Sequence, residues 1–424
     1  MALSDAVALL EVKPATLYTY VSRGWIGRVP AARGRGSLYS RADLERLRAR
    51  HDARAGHTAV AASALRWGEP VIDSAITTVI DGRLYYRGHD ALALAQDGWR
   101  YEQVAELLFS GELPDAAPAW PELDDRPAGS EIRAALRAGA GPVRSLLCAV
   151  ALLRARSVRI AGEGEGPELE RGRALLGWLA TGPGWAKGRA SERAKAHVST
   201  RAKTGRTERT DGIAARCARA LGLGLGLENT EALRAIELAL IASADHELNP
   251  STFTARVVAS AGSDLYACIA AALAAMSGPR HGGGTLRVEA LLDEALSVRR
   301  PADVVRERLA RGARLPGFGH PLYPGGDPRA RVLLARAAEL DRNSQRPAAM
   351  LAIERAAQAA GLPPAQLDFG MVALCQALAL PSGSALFLFS IGRLAGWIAH
   401  VREQRVQGDP LRPRARYTGP APVG

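Results

Sequence analysis

Aromatic residues are scarce in this chain of 424 residues, since Phe, Trp and Tyr together make up only 5% of it. Aromatic residues favour strands, whereas the abundant Ala, Leu and Arg favour helices, so the composition predicts a helical protein. Acidic residues are outnumbered as well, with 43 Asp and Glu against 55 Lys and Arg and a formal net charge of +12. Such a charge is typical of proteins that bind nucleic acids or anionic small molecules, and it does not distinguish between the two.

Cysteine and long apolar runs are also scarce. No CxxC spacing occurs, which argues against a disulfide framework or a zinc site and fits the reducing cytoplasm. The best candidate for a membrane span, residues 384–400, is interrupted by Arg393, and the N-terminus lacks a signal-peptide pattern. We therefore expect a cytoplasmic protein outside the membrane. The four cysteines lie far apart, at Cys148, Cys217, Cys268 and Cys375.

Several common catalytic motifs are missing. No Gly-x-Gly-x-x-Gly follows a predicted strand, and neither a P-loop nor a serine nucleophile elbow occurs. No HExxH pair is present either, so no metal site of that type is predicted. These absences direct attention to the histidines and arginines.

The first 57 residues hold ten Lys/Arg against five acidic residues, and so carry +5 of the net charge. Ser4 is a candidate cap for a short helix ending at Leu10, and Pro14–Ser22 is predicted to form a second helix. A basic Gly-rich loop at 33–36 precedes a third predicted helix at 41–54. This order is that of a winged helix-turn-helix, and the segment resembles MerR-like and excisionase-like DNA-binding modules. The alternative is a solvated helical cap that packs on the next domain.

The remainder of the chain is dominated by amphipathic segments separated by short loops. In Tyr101–Ser110, for example, apolar residues recur at helical spacing. Residues 75–81 and Arg83–Tyr86 predict one β-hairpin. The region 181–210 is Gly-rich and then basic without periodicity, which predicts a loop or a partly disordered insertion. We therefore predict an all-α body.

Three of the eight histidines lie in unusual surroundings. His246 begins His-Glu-Leu-Asn-Pro-Ser-Thr-Phe, His281 lies in Gly-Pro-Arg-His-Gly-Gly-Gly, and His320 lies in Gly-Phe-Gly-His-Pro-Leu-Tyr. A histidine flanked by glycines lies on an irregular segment, where a ligand can approach the backbone closely. Each histidine alone could be structural, and the three together could bind zinc. The Gly-rich surroundings suit a hydrogen-bonding role at least as well.

These three blocks, in this order, resemble the citrate synthase and 2-methylcitrate synthase family. The resemblance runs from about Gly68 to Pro420 and includes Asp327-Pro-Arg, Leu367-Asp-Phe and Ile391-Gly-Arg-Leu-Ala-Gly-Trp-Ile-Ala-His. It implies an all-α acyltransferase that condenses acetyl-CoA, or a short acyl-CoA, with oxaloacetate and then hydrolyses the thioester. It implies no cofactor, because acetyl-CoA is a substrate.

The resemblance also implies a role for each site residue. Deprotonating the methyl group of a thioester requires a positioned base and stabilisation of the enolate oxygen, and these roles fall to Asp368 and His281. His320 polarises the ketone of oxaloacetate. Guanidinium groups match carboxylates, so oxaloacetate is expected to contact His246, Arg329, Arg393 and Arg412. The segment expected to bind CoA is Leu315, Pro316, Gly317, Phe318 and Gly319.

Three of these residues also have simpler interpretations. Arg329 could merely pair with Asp327, Arg412 lies in a basic tail, and Asp368 could be an ordinary residue at a helix start. Arg393 is different, because it interrupts an apolar helix in which an unpaired charge is costly to bury. Its position favours a functional role.

A domain organisation follows from the resemblance. Residues 1–57 form the N-terminal module, 58–281 and 374–424 form a large domain, and 282–373 form a small domain. The cleft between the last two is expected to close over the substrates. Arg412 is expected to reach into the active site of a partner subunit, which implies a homodimer.

The motifs depart from the family pattern beside the charged residues. His281 is followed by Gly-Gly-Gly-Thr where the family usually has Gly-Gly-Ala-Asn, and Asp368 by Phe-Gly-Met in place of an aromatic residue and Ser-Gly. The proline that follows His320 resembles the pattern of 2-methylcitrate synthases, which also have a proline after this histidine. In those enzymes, however, an arginine comes just after a Leu-Pro pair, whereas here Pro114 is followed by Asp115. On balance we predict citrate formation. The alternatives are a 2-methylcitrate synthase that uses propionyl-CoA and a DNA-binding regulator with a metabolite-sensing body.

Overall fold

The chain forms two compact units, Met1–Asp73 with Arg412–Gly424, and Ser74–Leu411. The computed structural model describes residues 2–10, 12–22, 25–30, 37–41, 43–44, 72–123, 126–137, 140–156, 165–185, 212–223, 230–298, 300–341, 343–413 and 418–420. Most of the third helix predicted at 41–54 and of the insertion predicted at 181–210 lies outside these residues.

The first unit begins with two short helices, α1 (Leu3–Leu10) and α2 (Pro14–Ser22), at the predicted positions. Two antiparallel strands, β1 (Arg28–Pro30) and β2 (Ser37–Tyr39), lie on either side of the segment predicted as a basic loop. Among the described residues of this unit, the buried apolar side chains that pack together are Ala6, Leu10, Leu17, Ile26, Tyr39 and Leu44.

The second unit opens with a small antiparallel sheet in the order β3 (Thr77–Ile80), β4 (Arg83–Tyr86) and β5 (His89–Asp90). The predicted hairpin is therefore confirmed. Strand β5 was not predicted, because two residues are too few to show an alternating pattern.

Fifteen described helices follow in the second unit, which is mostly helical, as the predicted all-α body requires apart from this small sheet. They are α3 (Ala91–Gln96), α4 (Tyr101–Ser110), α5 (Gly129–Ala134), α6 (Pro142–Arg156), α7 (Glu165–Leu179), α8 (Ile213–Ala220), α9 (Thr230–Ala242), α10 (Pro250–Ser260), α11 (Leu265–Met276), α12 (Gly283–Leu296), α13 (Pro301–Ala310), α14 (Pro328–Leu340), α15 (Gln345–Ala359), α16 (Leu367–Ala377) and α17 (Ser384–Gln407).

Helix α17 is the central helix of this unit. It is long and apolar enough to cross a membrane, but its apolar stretch is entirely buried against other parts of the protein. A Cβ at Gly392 would lie 2.2 Å from Ser243 Oγ, and one at Gly396 would lie 2.3 Å from Asp245 Oδ1. Glycine at these two positions therefore lets α17 approach the end of α9 closely. This contact places Arg393 beside the turn that carries His246.

Candidate functional site

The turn between α9 and α10 carries His246, which is buried. Glu247 has a φ of 49°, a left-handed conformation that is uncommon for residues other than glycine. Its side chain accepts a hydrogen bond from the backbone N–H of Val79 at 3.1 Å. The Asn249 side chain then caps α10 by accepting two backbone N–H groups. These contacts fix the conformation of the turn directly after His246.

Tyr323 lies against two of the predicted histidines. Its hydroxyl is 2.8 Å from His246 Nε2, and its ring centroid is 5.2 Å from that of His320. The backbone N–H of Leu322 donates to His320 Nδ1 at 3.2 Å, so a neutral His320 carries its proton on Nε2. Burial raises the pKa of Tyr323 to about 12, which keeps its hydroxyl protonated at neutral pH. Tyr323 had been assigned no role from the sequence.

Arg329 forms a buried bidentate ion pair with Asp327. Its Nε and Nη2 atoms donate to the two carboxylate oxygens at 2.9 and 2.8 Å. Asp327 also accepts the backbone N–H of Leu367 at 3.1 Å, which links the start of α14 to the start of α16. The pairing of Arg329 with Asp327 is thus present in the structure, and the role of Arg329 in binding oxaloacetate stays a prediction. The pair also holds the guanidinium over the ring of Tyr323, at 5.2 Å, inside the candidate site.

Arg393 is equally buried but has no ion pair with a carboxylate among the described residues. Its Nε donates to the backbone oxygen of Ser243 at 2.7 Å, and its guanidinium carbon lies 4.9 Å from the ring centroid of Phe389. Asp245, the acid that most raises the pKa of Arg393, is hydrogen-bonded to His400 at 3.0 Å. Burial lowers the pKa of Arg393, with only partial compensation from Asp245. A guanidinium in this state favours the binding of an anion.

The three histidines share an environment that keeps them neutral. Burial, and then the positive charge of Arg329 and Arg393, holds the pKa of His246 well below its usual range. Burial and the charge of Arg329 lower the pKa of His320, and burial and the charge of Arg393 lower the pKa of His281 to about 4. At neutral pH the arginines are therefore the charged groups that would attract an anion. The neutral histidines can donate and accept hydrogen bonds.

His281 is held by a hydrogen-bond network that sequence analysis missed. Ser251 Oγ lies 2.8 Å from His281 Nε2 and 2.7 Å from Asn249 Oδ1, and it accepts a hydrogen bond from Trp397 Nε1 at 3.2 Å. The hydroxyl has one proton for its two acceptor neighbours. When it donates that proton to His281 Nε2, the imidazole keeps its own proton on Nδ1 and can donate to an oxygen atom there.

Asp368 is the second residue of α16 and is half-buried. Burial raises the pKa of its carboxyl to about 6, and no donor among the described residues forms a hydrogen bond with it. The carboxylate lies directly against Gly284, near the start of α12 and three residues after His281. A desolvated carboxylate without hydrogen bonds is a stronger base than an exposed one. This state suits proton abstraction near neutral pH.

The segment predicted to bind CoA adjoins the start of α16. Gly317 and Gly319 have φ values of 86° and 76°, which only glycine adopts readily. Gly317 O accepts the backbone N–H of Gln366 at 2.9 Å, and the ring of Phe318 lies 4.9 Å from that of Phe369. These contacts connect the loop to the helix that carries Asp368. Leu315 is buried in this loop, and Pro316 lies between it and Gly317.

Arg412 falls in the other compact unit, where its side chain is exposed. The other six predicted catalytic and oxaloacetate-binding residues lie in the second unit, and the role of Arg412 stays a prediction. Among the described residues, no group of His, Cys, Asp and Glu is suited to hold a metal ion. The six residues are His246, His281, His320, Arg329, Asp368 and Arg393.

Comparison with known proteins gives similarities over most of the chain. The family described as "Citrate synthase, C-terminal domain" matches residues 64–414. Citrate synthase 2 of Bacillus subtilis strain 168 is 37% identical over 191 residues, which cover 44% of this chain and 51% of that protein. The 2-methylcitrate synthase of Shewanella oneidensis MR-1 is 32% identical over 195 residues, 45% of this chain and 51% of that protein. The chain thus spans about half the length of these relatives. The crystal structure of citrate synthase from Thermotoga maritima MSB8 matches with a TM-score of 0.66 at 25% identity, over 84% of this chain and 96% of that one.

Proposed function

The chain belongs to the citrate synthase family, and from this premise we propose that it condenses acetyl-CoA with oxaloacetate and hydrolyses the resulting thioester to citrate and CoA. The observation that carries the proposal is the state of Asp368, a half-buried carboxylate whose pKa is about 6. A base of this strength can remove a proton from the acetyl methyl group only if the enolate oxygen is stabilised at the same time.

The neutral His281 supplies that stabilisation. It donates a hydrogen bond to the thioester oxygen, while Asp368 takes the methyl proton and the carbon becomes nucleophilic. This carbon then attacks the ketone of oxaloacetate, forming the new carbon–carbon bond. His320, with its proton on Nε2, polarises the ketone and protonates the alkoxide that results. Water finally attacks the thioester carbonyl, and CoA leaves as the thiol.

Oxaloacetate is bound in this proposal by the buried positive charges. Arg393, which has no carboxylate partner in the described part of the chain, takes one substrate carboxylate, and Arg329 and His246 contact the same substrate. Arg412 completes the site from a second subunit, so the active form is a homodimer. Residues 282–373 move as a small domain that closes over the substrates, and residues 315–319 contact CoA.

The test is thiol release, measured with Ellman's reagent in the presence of acetyl-CoA and oxaloacetate. We expect release only when both substrates are present, and its loss in Asp368→Asn. Thiol release without oxaloacetate would indicate simple thioester hydrolysis and contradict the proposal. Parallel assays with propionyl-CoA distinguish citrate formation from the alternative, 2-methylcitrate formation.

A second function, DNA binding, is proposed for residues 1–57 as a winged helix-turn-helix. Helices α1 and α2 are followed by the antiparallel pair β1–β2, and Tyr18, Trp25 and Leu38 are exposed on this small unit. Its excess of basic residues suits contact with phosphates. In this alternative, the protein is a DNA-binding regulator, and its synthase-like body is the metabolite sensor.

Mobility-shift assays over a range of salt concentrations test this second function. Full-length protein should bind DNA less tightly as salt increases. A chain that lacks residues 1–57 should not bind, but should retain condensation activity. Binding that survives the deletion, or no salt-dependent binding by the full-length protein, would remove DNA from the proposal.

A further inference from the structure

Asp245 directly precedes His246 and is fully buried against α17. Its Oδ2 atom lies 3.0 Å from Nε2 of His400. A Cβ at Gly396 would lie 2.3 Å from Oδ1, so the carboxylate is in close contact with the backbone of the helix. Arg393, Gly396 and His400 follow one another at intervals of three and four residues, a spacing that puts them on one face of α17. The Asp245 carboxylate therefore lies against the helix face that carries Arg393.

His400 contributes a hydrogen bond to Asp245 rather than a positive charge. Its Nδ1 atom lies 3.3 Å from Nη1 of Arg256, and a guanidinium group can only donate hydrogen bonds. Nδ1 is therefore an acceptor, and the single proton of the ring lies on Nε2, the atom that faces Asp245. Arg256 is itself paired with Glu403 at 2.6 Å. Neither His400 nor Arg256 thus balances the charge of Asp245.

The positive charge that remains for Asp245 is that of Arg393. Burial opposes ionisation of the Asp245 carboxyl, but His400 and Arg393 beside it lower its pKa, so the group is a carboxylate at neutral pH. The two side chains share no hydrogen bond in the described part of the chain, because the Nε of Arg393 donates instead to the backbone oxygen of Ser243 at 2.7 Å. Asp245 therefore acts on Arg393 through its charge alone.

A negative charge beside Arg393 opposes the binding of any anion to this guanidinium, by an amount that grows with the charge of the anion. In the proposed reaction, oxaloacetate carries two carboxylates and citrate carries three. We infer that Asp245 weakens the binding of anions to Arg393, and that it weakens the binding of the tricarboxylate product more than that of the substrate, which favours product release. The inference rests on the proposed function, in which Arg393 binds a carboxylate of oxaloacetate.

The experiment measures the Kd of oxaloacetate and of citrate by isothermal titration calorimetry, without acyl-CoA, for the wild type and Asp245→Asn. Asparagine keeps the shape of the side chain and an oxygen that can accept from His400, but it carries no charge. The Kd of oxaloacetate should fall at least ~10-fold and that of citrate at least ~30-fold, because the Coulomb energy scales with the charge of the ligand. Damage to the structure would weaken binding, so a gain in affinity separates the effect of charge from a merely structural role.

The matched control is Glu168→Gln, which also neutralises a buried carboxylate in contact with α17. Both carboxylate oxygens of Glu168 accept hydrogen bonds from Nε of Arg405, at 2.9 and 2.8 Å. Arg405 lies in the last turn of α17, about 18 Å along the helix axis from Arg393. Glu168→Gln should therefore leave both dissociation constants unchanged.

Thermal unfolding shows whether each variant is folded, and Asp245→Ser, which is also neutral, is used if Asp245→Asn does not fold. A folded neutral variant whose Kd for oxaloacetate is unchanged or higher overturns the inference, and so does a gain for citrate that is no larger than the gain for oxaloacetate. Failure of both variants to fold overturns it too, because the charge is then required for the structure. Wild-type protein that binds neither ligand overturns the proposed function itself, and the inference with it.

Discussion

The two buried arginines of the site should respond differently to the same substitution. Arg329 and Arg393 are each 2% exposed. Arg329, however, forms a bidentate ion pair with Asp327, whereas Arg393 contacts a backbone oxygen and has no ion pair with a described carboxylate. Methionine is unbranched and apolar, and it adapts to irregular spaces in a core. Arg329→Met and Arg393→Met therefore separate the roles of charge and ion pairing.

The contacts give the expected magnitudes. Arg329→Met leaves the buried Asp327 without its counter-ion, which typically costs about 3–5 kcal/mol of unfolding free energy. Arg393→Met leaves the backbone oxygen of Ser243 without a donor, at a cost of about 1–3 kcal/mol. It also removes a buried charge that has no counter-ion, which offsets much of this cost. We expect Arg393→Met to remain within ~1 kcal/mol of the wild type and Arg329→Met to be at least ~2 kcal/mol less stable.

The assay is thermal unfolding with and without oxaloacetate. A ligand at one hundred times its Kd stabilises a protein by about 2.7 kcal/mol, so the wild type should melt at a clearly higher temperature with oxaloacetate. Both variants should lose this increase. The exposed Arg234, on α9, offers a control, because Arg234→Met should change neither measurement. The reasoning fails if Arg393→Met is as unstable as Arg329→Met without ligand, or if it retains the stabilisation by oxaloacetate.

Three further predictions concern the remaining site residues. Asp368→Asn should lower kcat by roughly 10²–10⁴, and wild-type kcat/KM should decrease as the pH falls through about 6, because the base must be deprotonated. Folding raises this pKa, so the folded state favours the protonated carboxyl. Asp368→Asn should therefore melt at a higher temperature than the wild type above pH 6, and this difference in melting temperature should disappear toward pH 4. Equal melting temperatures at every pH would contradict the raised pKa. Ser251→Ala should lower kcat roughly 5- to 150-fold with little change in the oxaloacetate KM, because it removes the hydrogen-bond partner of His281; an unchanged kcat would show that Ser251 does not orient that ring. Mixed dimers of Arg393→Ala and Arg412→Ala subunits should recover about half the wild-type activity, since one of the two sites is then intact; heterodimers without activity would place Arg412 outside the partner's site.

The parts of the fold that sequence analysis predicted correctly depend on local patterns. Helix α4 was visible from apolar residues at helical spacing, and the β3–β4 hairpin from two short strand-forming segments that are close in sequence. Strand β5 is too short to show such a pattern. The position of Arg393 inside a buried apolar helix was predictable as well, because a charge within an apolar segment stands out in a sequence.

The contacts that tune the site were beyond sequence analysis. Ser251 and His281 are 30 residues apart, and Trp397 donates to Ser251 across 146 residues. No spacing rule connects positions on helices that meet only after folding. Likewise, the departure of Gly284 from the family pattern was visible, but not that the Asp368 carboxylate fills the space. Such effects depend on packing distances of a few tenths of an ångström.

The glycine contact between α17 and the end of α9 has a consequence for how this chain can change in length. One inserted residue turns the following part of a helix by about 100°. An insertion before Gly392 would therefore carry both Gly392 and Gly396 away from Ser243 and Asp245 and turn larger side chains toward them. The first half of α17 should thus tolerate no insertion or deletion of a single residue, whereas substitutions at its buried apolar positions can be absorbed by repacking. Selection for activity from a library of such length variants would recover none in this segment.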